Sequence, residues 1–194
     1  MSKNRKQTIS STEHKIYNSA LLGRAIQGKI IDILNKNRDK YNIIQCKKTK
    51  PGSLYNSDIY IQQLVIIENG QNIPIDKLIE IKICCTADGN HKNCTTPFKT
   101  ALGASMAWLS EKAIPHFMFF DLVDGADGTE HQKHIDHLNR HGVQVLVMPH
   151  YPRDDEYRLI IDFLMKPYDY RKLIERNQLL QGLYRANMDC NEHI

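Results

Sequence analysis

An α/β fold with a mixed central sheet flanked by helices is what this 194-residue chain predicts. Three observations carry that expectation. A helical stripe of apolar residues precedes two β-rich stretches. After Gly70 the pattern runs strand, helix, strand, helix, strand, the alternation that builds parallel pairing with helical cover. A content of 41% hydrophobic and 25% charged residues is that of an ordinary globular chain, and the length suits one core, so residues 1–194 are expected to form one domain.

Residues 1–12 are polar and are expected to be flexible. From Ser19 to Lys40, Leu22, Ile26, Ile30, Ile33 and Leu34 recur at helical spacing behind a Ser that can cap the first turn. Asn42 to Cys46 reads as a short strand, and Lys47 to Ser53 as a basic turn built on Pro51-Gly52. Ser57 to Ile67, rich in Ile, Tyr and Val and closed by Asn69-Gly70, reads as one or two strands. In Leu78 to Cys85, Ile79, Ile81 and Ile83 alternate with Glu80, Lys82 and Cys84, so the three Ile enter a core while Glu80 and Lys82 project together. Thr86 to Thr95 is a polar loop and Pro97 to Lys112 a helix rich in small residues. His116 to Val123 is a buried strand, Thr129 or Glu130 to His141 a helix, and Val143 to Met148 another buried strand. Residues 154–194 form a C-terminal helical segment with a break near Pro167, whose second part carries Tyr170, Leu173, Leu180 and Tyr184 on one stripe.

The net charge of +4 conceals a division: residues 1–50 carry +9 and residues 51–194 carry −5. A basic region of this kind suits a polyanion, because Lys and Arg that neutralise phosphates release counterions; it also suits a merely solvated surface. Five Cys, two of them adjacent, fit reduced thiols better than a disulfide framework. No stretch approaches the roughly 20 apolar residues of a membrane helix, and the N-terminus lacks a secretory apolar run, so a soluble, non-exported protein is expected.

One arrangement carries chemistry. Glu-x-Lys alone is uninformative, since Glu13-His14-Lys15 matches it too, but Glu80-Ile81-Lys82 lies in an apolar strand preceded by another that opens with Asp58. Pairing those strands brings Asp58 beside Glu80 and Lys82. Two close carboxylates repel, a divalent cation relieves the repulsion, and Mg²⁺ suits a couple of carboxylates plus phosphate oxygens. Lys82 can orient a water or hold a phosphate oxygen. The plainer alternative is a solvated strand face with a Glu/Lys pair.

Ser57-Asp58 followed, after 21 intervening residues, by Glu80-Ile81-Lys82 resembles the signature of the PD-(D/E)xK nucleases, the superfamily of most Type II restriction endonucleases. The resemblance spans roughly Ala20 to Met148 and implies a restriction-endonuclease-like mixed sheet and hydrolysis of double-stranded DNA. It makes Asp58 and Glu80 metal ligands, the Ile81 carbonyl a third, and Lys82 the water-positioning residue. Mg²⁺ is the implied cofactor, with Mn²⁺ as substitute, and the implied setting is the cytoplasm of a prokaryotic cell. Ser57 stands where the name-giving Pro would be. Many members carry a Glu on the leading helix; Gln27 is its nearest counterpart here, an accessory residue that cannot bring charge to a metal.

Other constellations are weaker. His134, His137 and His141, with His131 nearby, gather on one flank of a helix, and Cys84, Cys85, His91 and Cys94 form a second set, but neither has the partners or C-x-x-C spacing of a zinc site. Asp121, Asp124 and Asp127 lack the closing Glu of a calcium loop, and no Walker or G-x-G-x-x-G pattern points to a nucleotide cofactor. Lys47, Lys48 and Lys50, with Asn90, His91 and Lys92 of the loop after the Glu-x-Lys strand, are the residues expected to touch DNA. The leading expectation is a Mg²⁺-dependent, sequence-specific endonuclease acting as a homodimer, with no membrane partner. A resolvase, repair or nicking enzyme, or a non-catalytic DNA- or partner-binding α/β module, is the alternative.

Overall fold

The structure, a computed structural model, describes residues 19–53, 55–66, 70, 72–84, 95–122 and 131–167. Nine elements follow in chain order: α1 (Ser19–Lys36), β1 (Ile43–Lys47), β2 (Ile59–Ile66), β3 (Asn72–Cys84), α2 (Thr95–Ser110), β4 (Ile114–Asp121), α3 (Gln132–Arg140), β5 (Gln144–Met148) and α4 (Tyr157–Met165). The strands form one five-stranded sheet in the order β1-β2-β3-β4-β5. It is mixed: β1, β2 and β3 are antiparallel neighbours, whereas β3, β4 and β5 run parallel.

Side-chain alternation assigns the two faces. On one face, Ile59, Ile61, Ile79, Ile81, Met118 and Phe120 pack with Ile26, Ile30 and Leu34 of α1 and Ile160, Ile161 and Leu164 of α4. On the other, Phe117 and Phe119 meet Phe98 and Ala101 of α2 and Leu138 of α3, while Tyr60 and Leu78 meet Ala104 and Trp108. Every residue of β4 is buried, as a central parallel strand requires. Among the described residues, no helix is long and apolar enough to cross a membrane.

Several boundaries differ from the sequence reading, for local reasons. The leading helix ends at Lys36, four residues before Lys40: the Asn37 amide donates to the Ile33 carbonyl at 2.8 Å, and Asn42 adopts a positive φ of 53°. The Glu-x-Lys strand begins at Asn72 rather than Leu78. Residues 72–76 pair only with β2, since β4 begins opposite Lys77, and Pro74 is tolerated in that half-open stretch. The next strand runs Ile114–Asp121, starting and ending two residues earlier than the expected His116 to Val123, so Asp121 is its buried last residue. α4 stops at Met165, just before Pro167. The stripe of Tyr170, Leu173, Leu180 and Tyr184 lies outside the described residues.

Two helices end in the same left-handed closure. After α3, Gly142 has φ 78°, and the Val143 N–H reaches the Leu138 carbonyl at 3.1 Å. After α2, the Ala113 N–H reaches the Trp108 carbonyl at 3.0 Å, but the left-handed residue is Lys112, φ 62°. A Cβ in this region is strained, and glycine removes the strain. Lys112→Gly is therefore expected to stabilise the protein by about 1 kcal/mol, measured by urea denaturation, whereas Gly142→Ala should destabilise it.

Candidate active site

Sheet register brings the acidic residues together. Ile59 pairs with Ile79, and the Asp58 N–H donates to the Ile79 carbonyl at 2.9 Å, so Asp58, one residue before β2, lies across from Glu80. Its side chain turns onto β3, where Oδ2 accepts the Ile81 N–H at 2.7 Å. Glu80 and Lys82, two apart on one strand, share a face, and Lys82 Nζ lies 2.5 Å from Glu80 Oε1. The face is not solvated. Glu80 is 8% exposed, while the Lys82 side chain, nearer the strand end, keeps 35% of its surface open.

Three hydrogen bonds hold this corner. The Gln27 side chain of α1 donates to the Asp58 carbonyl, tying the helix to the backbone that carries the carboxylate. The segment leading to Asp58 is fixed from the other side: the buried Trp108 indole donates to the Tyr55 carbonyl at 3.0 Å, and the Ser53 hydroxyl to Glu111 at 3.0 Å. Ser57 is buried with a hydroxyl that has no hydrogen-bond partner among the described residues. Opening onto the corner is a cleft of about 320 Å³ lined by Ala20, Gly23, Arg24 and Gln27 of α1 together with Asp58, Ile81, Lys82 and Ile83. The α1 residues recur every three or four positions, so one helical face borders the cleft beside the face that fills the core.

Electrostatics make the pair unstable as two bare anions. Burial raises the Asp58 pKa above the usual Asp value, against the Ile81 N–H and the Lys82 charge, which lower it. Burial likewise raises Glu80; Lys82 lowers it and the nearby Asp58 charge raises it further. Among the described residues, no three His, Cys, Asp or Glu side chains converge as a metal cluster, so the side-chain donors here are two carboxylates. That set fits Mg²⁺, which keeps several waters and takes one or two carboxylates plus substrate phosphate oxygens; it does not fit a closed site made wholly of side chains.

The remaining expected site residues divide. Lys47 ends β1 beside Tyr60, with Nζ 5.7 Å from that ring centroid, and so rises at the same end of the sheet as Asp58; Lys48 follows it, exposed. Lys50 is engaged internally, 2.9 Å from Asp76 and 3.7 Å from Glu111. Asn90, His91 and Lys92 lie outside the described residues, as do Cys85 and Cys94. Cys46 is a buried thiol whose pKa is pushed up to about 12 by burial, and Cys84 is half-buried.

The His residues do not form one strip. His131 is buried against Asp121, Nε2 to Oδ2 3.1 Å, and stacks with His134 on Phe98. His137 and His141 are a separate pair, ring centroids 4.4 Å apart. Sequence reasoning missed Arg24 as a wall of the cleft, although its place three residues before Gln27 is legible as the same helical face. It also missed the Asp121–His131 pair, which depends on a strand end meeting a helix start. Neither a protein-family model, nor a curated protein, nor a solved structure matches this chain.

The raised Asp58 pKa fixes the sign of one effect. A carboxyl that holds its proton more tightly in the folded chain disfavours folding once it ionises, so stability is lost as pH rises from the ordinary 3.8 through the raised value. Asp58→Asn keeps an oxygen for the Ile81 N–H and removes the charge. In EDTA at neutral pH it should be more stable than the parent by about 0.5–2 kcal/mol, and thermal melts should show the difference closing as pH falls below about 4.

Proposed function

We propose that this protein is a Mg²⁺-dependent endonuclease that hydrolyses phosphodiester bonds in double-stranded DNA, with Asp58, Glu80 and Lys82 as its catalytic set and a restriction-endonuclease-like fold. The observation that carries the reading is that Asp58 and Lys82 border one open cleft while Glu80, buried beside them, is ion-paired to Lys82, in the register the resemblance to the PD-(D/E)xK nucleases implies. The mixed sheet, with α1 against the site, agrees with it.

Asp58 and Glu80 would hold the cation with the Ile81 carbonyl, and the bound ion supplies charge neutralisation for the phosphate and a more acidic water. Lys82, between Glu80 and solvent, positions the attacking water or holds a phosphate oxygen. Arg24 borders the same cleft and offers a fork of donors suited to a phosphate. Gln27 brings no charge; its role is to hold the Asp58 backbone. Lys47 and Lys48 extend the cationic surface at this end of the sheet. One chain carries one catalytic set, so cutting both strands symmetrically calls for a two-fold homodimer.

Incubation of long duplex DNA with the protein should give Mg²⁺- or Mn²⁺-dependent cleavage that EDTA abolishes. Asp58→Ala, Glu80→Ala and Lys82→Ala should each lose about 10²–10⁴-fold in rate while still binding DNA. Discrete bands mark a restriction enzyme and nicks mark a resolvase or repair enzyme. Full activity in Lys82→Ala removes the mechanism, and binding without any cleavage favours the non-catalytic module.

Neutralising Lys47 and Lys48 should flatten the slope of log affinity against log salt by about 0.9 for each phosphate that the protein no longer neutralises. Lys50→Gln should instead lower folding stability, because its partners are internal.

A further inference from the structure

A second cavity lies at the opposite end of the sheet. Asp58 precedes the Ile59–Ile79 pair, whereas this pocket, of about 280 Å³, gathers the far end of β2 (Leu64, Val65), the start of β3 (Ile75, Lys77), the start of β4 (Ile114) and the end of α4 (Met165). Its walls among the described residues are mainly apolar, and the only charged ones are Lys77 and Lys166.

Lys77 is the anomaly. It is 2% exposed, and its amine donates to one described acceptor, the Leu164 carbonyl at 2.7 Å. No carboxylate pairs with it among the described residues. The neighbouring titratable group, His116, cannot help: it is fully enclosed, its ring lies at 3.2 Å from the Ile114 carbonyl and edge-on to Phe163, and burial with the Lys77 charge pushes its pKa down to about 3. Burial pushes Lys77 itself down to about 8, which still leaves it largely protonated at neutral pH. A buried ammonium with one backbone acceptor and no counter-ion is costly, and a bound anion would relieve it.

We propose that this pocket binds a small amphiphilic carboxylate, its head group on the Lys77 amine and its apolar body against Leu64, Val65, Ile75, Ile114 and Met165. A monoanionic head suits the site better than a phosphate, which calls for more donors than one buried amine supplies. The amide of Gln63, also at the wall, gives one of its two N–H groups to the Tyr41 carbonyl at 3.0 Å. Apolar walls with one placed polar group are the usual make-up of a small-molecule site. This site is independent of the cleft at Asp58, so its fate does not bear on nuclease activity.

Octanoate and octanol are the probes, titrated by calorimetry at pH 7 into the full chain. Octanoate should bind saturably and at least tenfold more tightly than octanol. Lys77→Met, which keeps the volume and removes the charge, should lose that preference by weakening octanoate alone. Comparing the two ligands on the parent protein needs no variant to fold. Equal affinity for the two, no saturable binding of octanoate, or an unchanged preference in a folded Lys77→Met would each overturn the proposal.

Discussion

The register between β2 and β3 is the constraint on which the rest of the site depends. Ile59 opposite Ile79 places Asp58 across from Glu80, and the same pairing keeps Ile59, Ile61, Ile79 and Ile81 under α1 and α4. A slip of one residue would turn every side chain of a strand to the other face. It would exchange those Ile with Tyr60 and Leu78, which are buried against α2 on the other face, and mispack both layers. Each fully buried Ile contributes about 1.5–3 kcal/mol, so the alternation that holds the sheet together also holds the carboxylates together. The Gln27 bond to the Asp58 carbonyl and the Trp108 bond to the Tyr55 carbonyl then fix where the chain enters β2.

That arrangement opposes stability at the one corner where it gathers charge. Burial raises both Asp58 and Glu80, and Lys82 offsets this only in part because its side chain reaches toward solvent. Core burial on both faces of the sheet is large enough to carry such a cost, as is usual where a site collects groups that fold poorly on their own. Lys77, at the far end of the sheet, poses the same problem with the opposite sign of charge.

Much of this was legible in the sequence because its signals are local. The period-two alternation of Ile79, Ile81 and Ile83 marked the strand and set Glu80 and Lys82 on one face, and the helical spacing of Ile26, Ile30 and Leu34 marked α1 and its buried side. The alternation of strands and helices after Gly70 followed, whereas Ser57 to Ile67, open as one strand or two, is the single strand Ile59–Ile66 among the described residues. What was not legible depends on residues distant in the chain. Lys50 looked like a free cation in a basic turn until the fold brought Asp76 and Glu111 to it. Lys77 fell outside the strand expected from Leu78 onward, and nothing near it in sequence announces that its amine meets the α4 carbonyl of Leu164. Asp121 and His131 come together across ten residues of chain, one from the expected strand and one from the expected helix, and their meeting depends on how those two elements pack. Helix ends were misplaced where an Asn side chain or a non-glycine left-handed residue, rather than Gly or Pro, closed the turn.

Manganese in place of magnesium tests the central claim most directly, because its paramagnetism broadens nuclear resonances close to where it binds. With backbone amides assigned, substoichiometric Mn²⁺ should broaden Ile81, Glu80 and Asp58 first, with Lys82 and Gln27 next, and excess Mg²⁺ should restore them. The same titration of Asp58→Asn should leave these amides sharp. Broadening centred elsewhere, or none at the Asp58–Glu80 corner, would contradict a cation-binding role for the two carboxylates and with it the proposed chemistry.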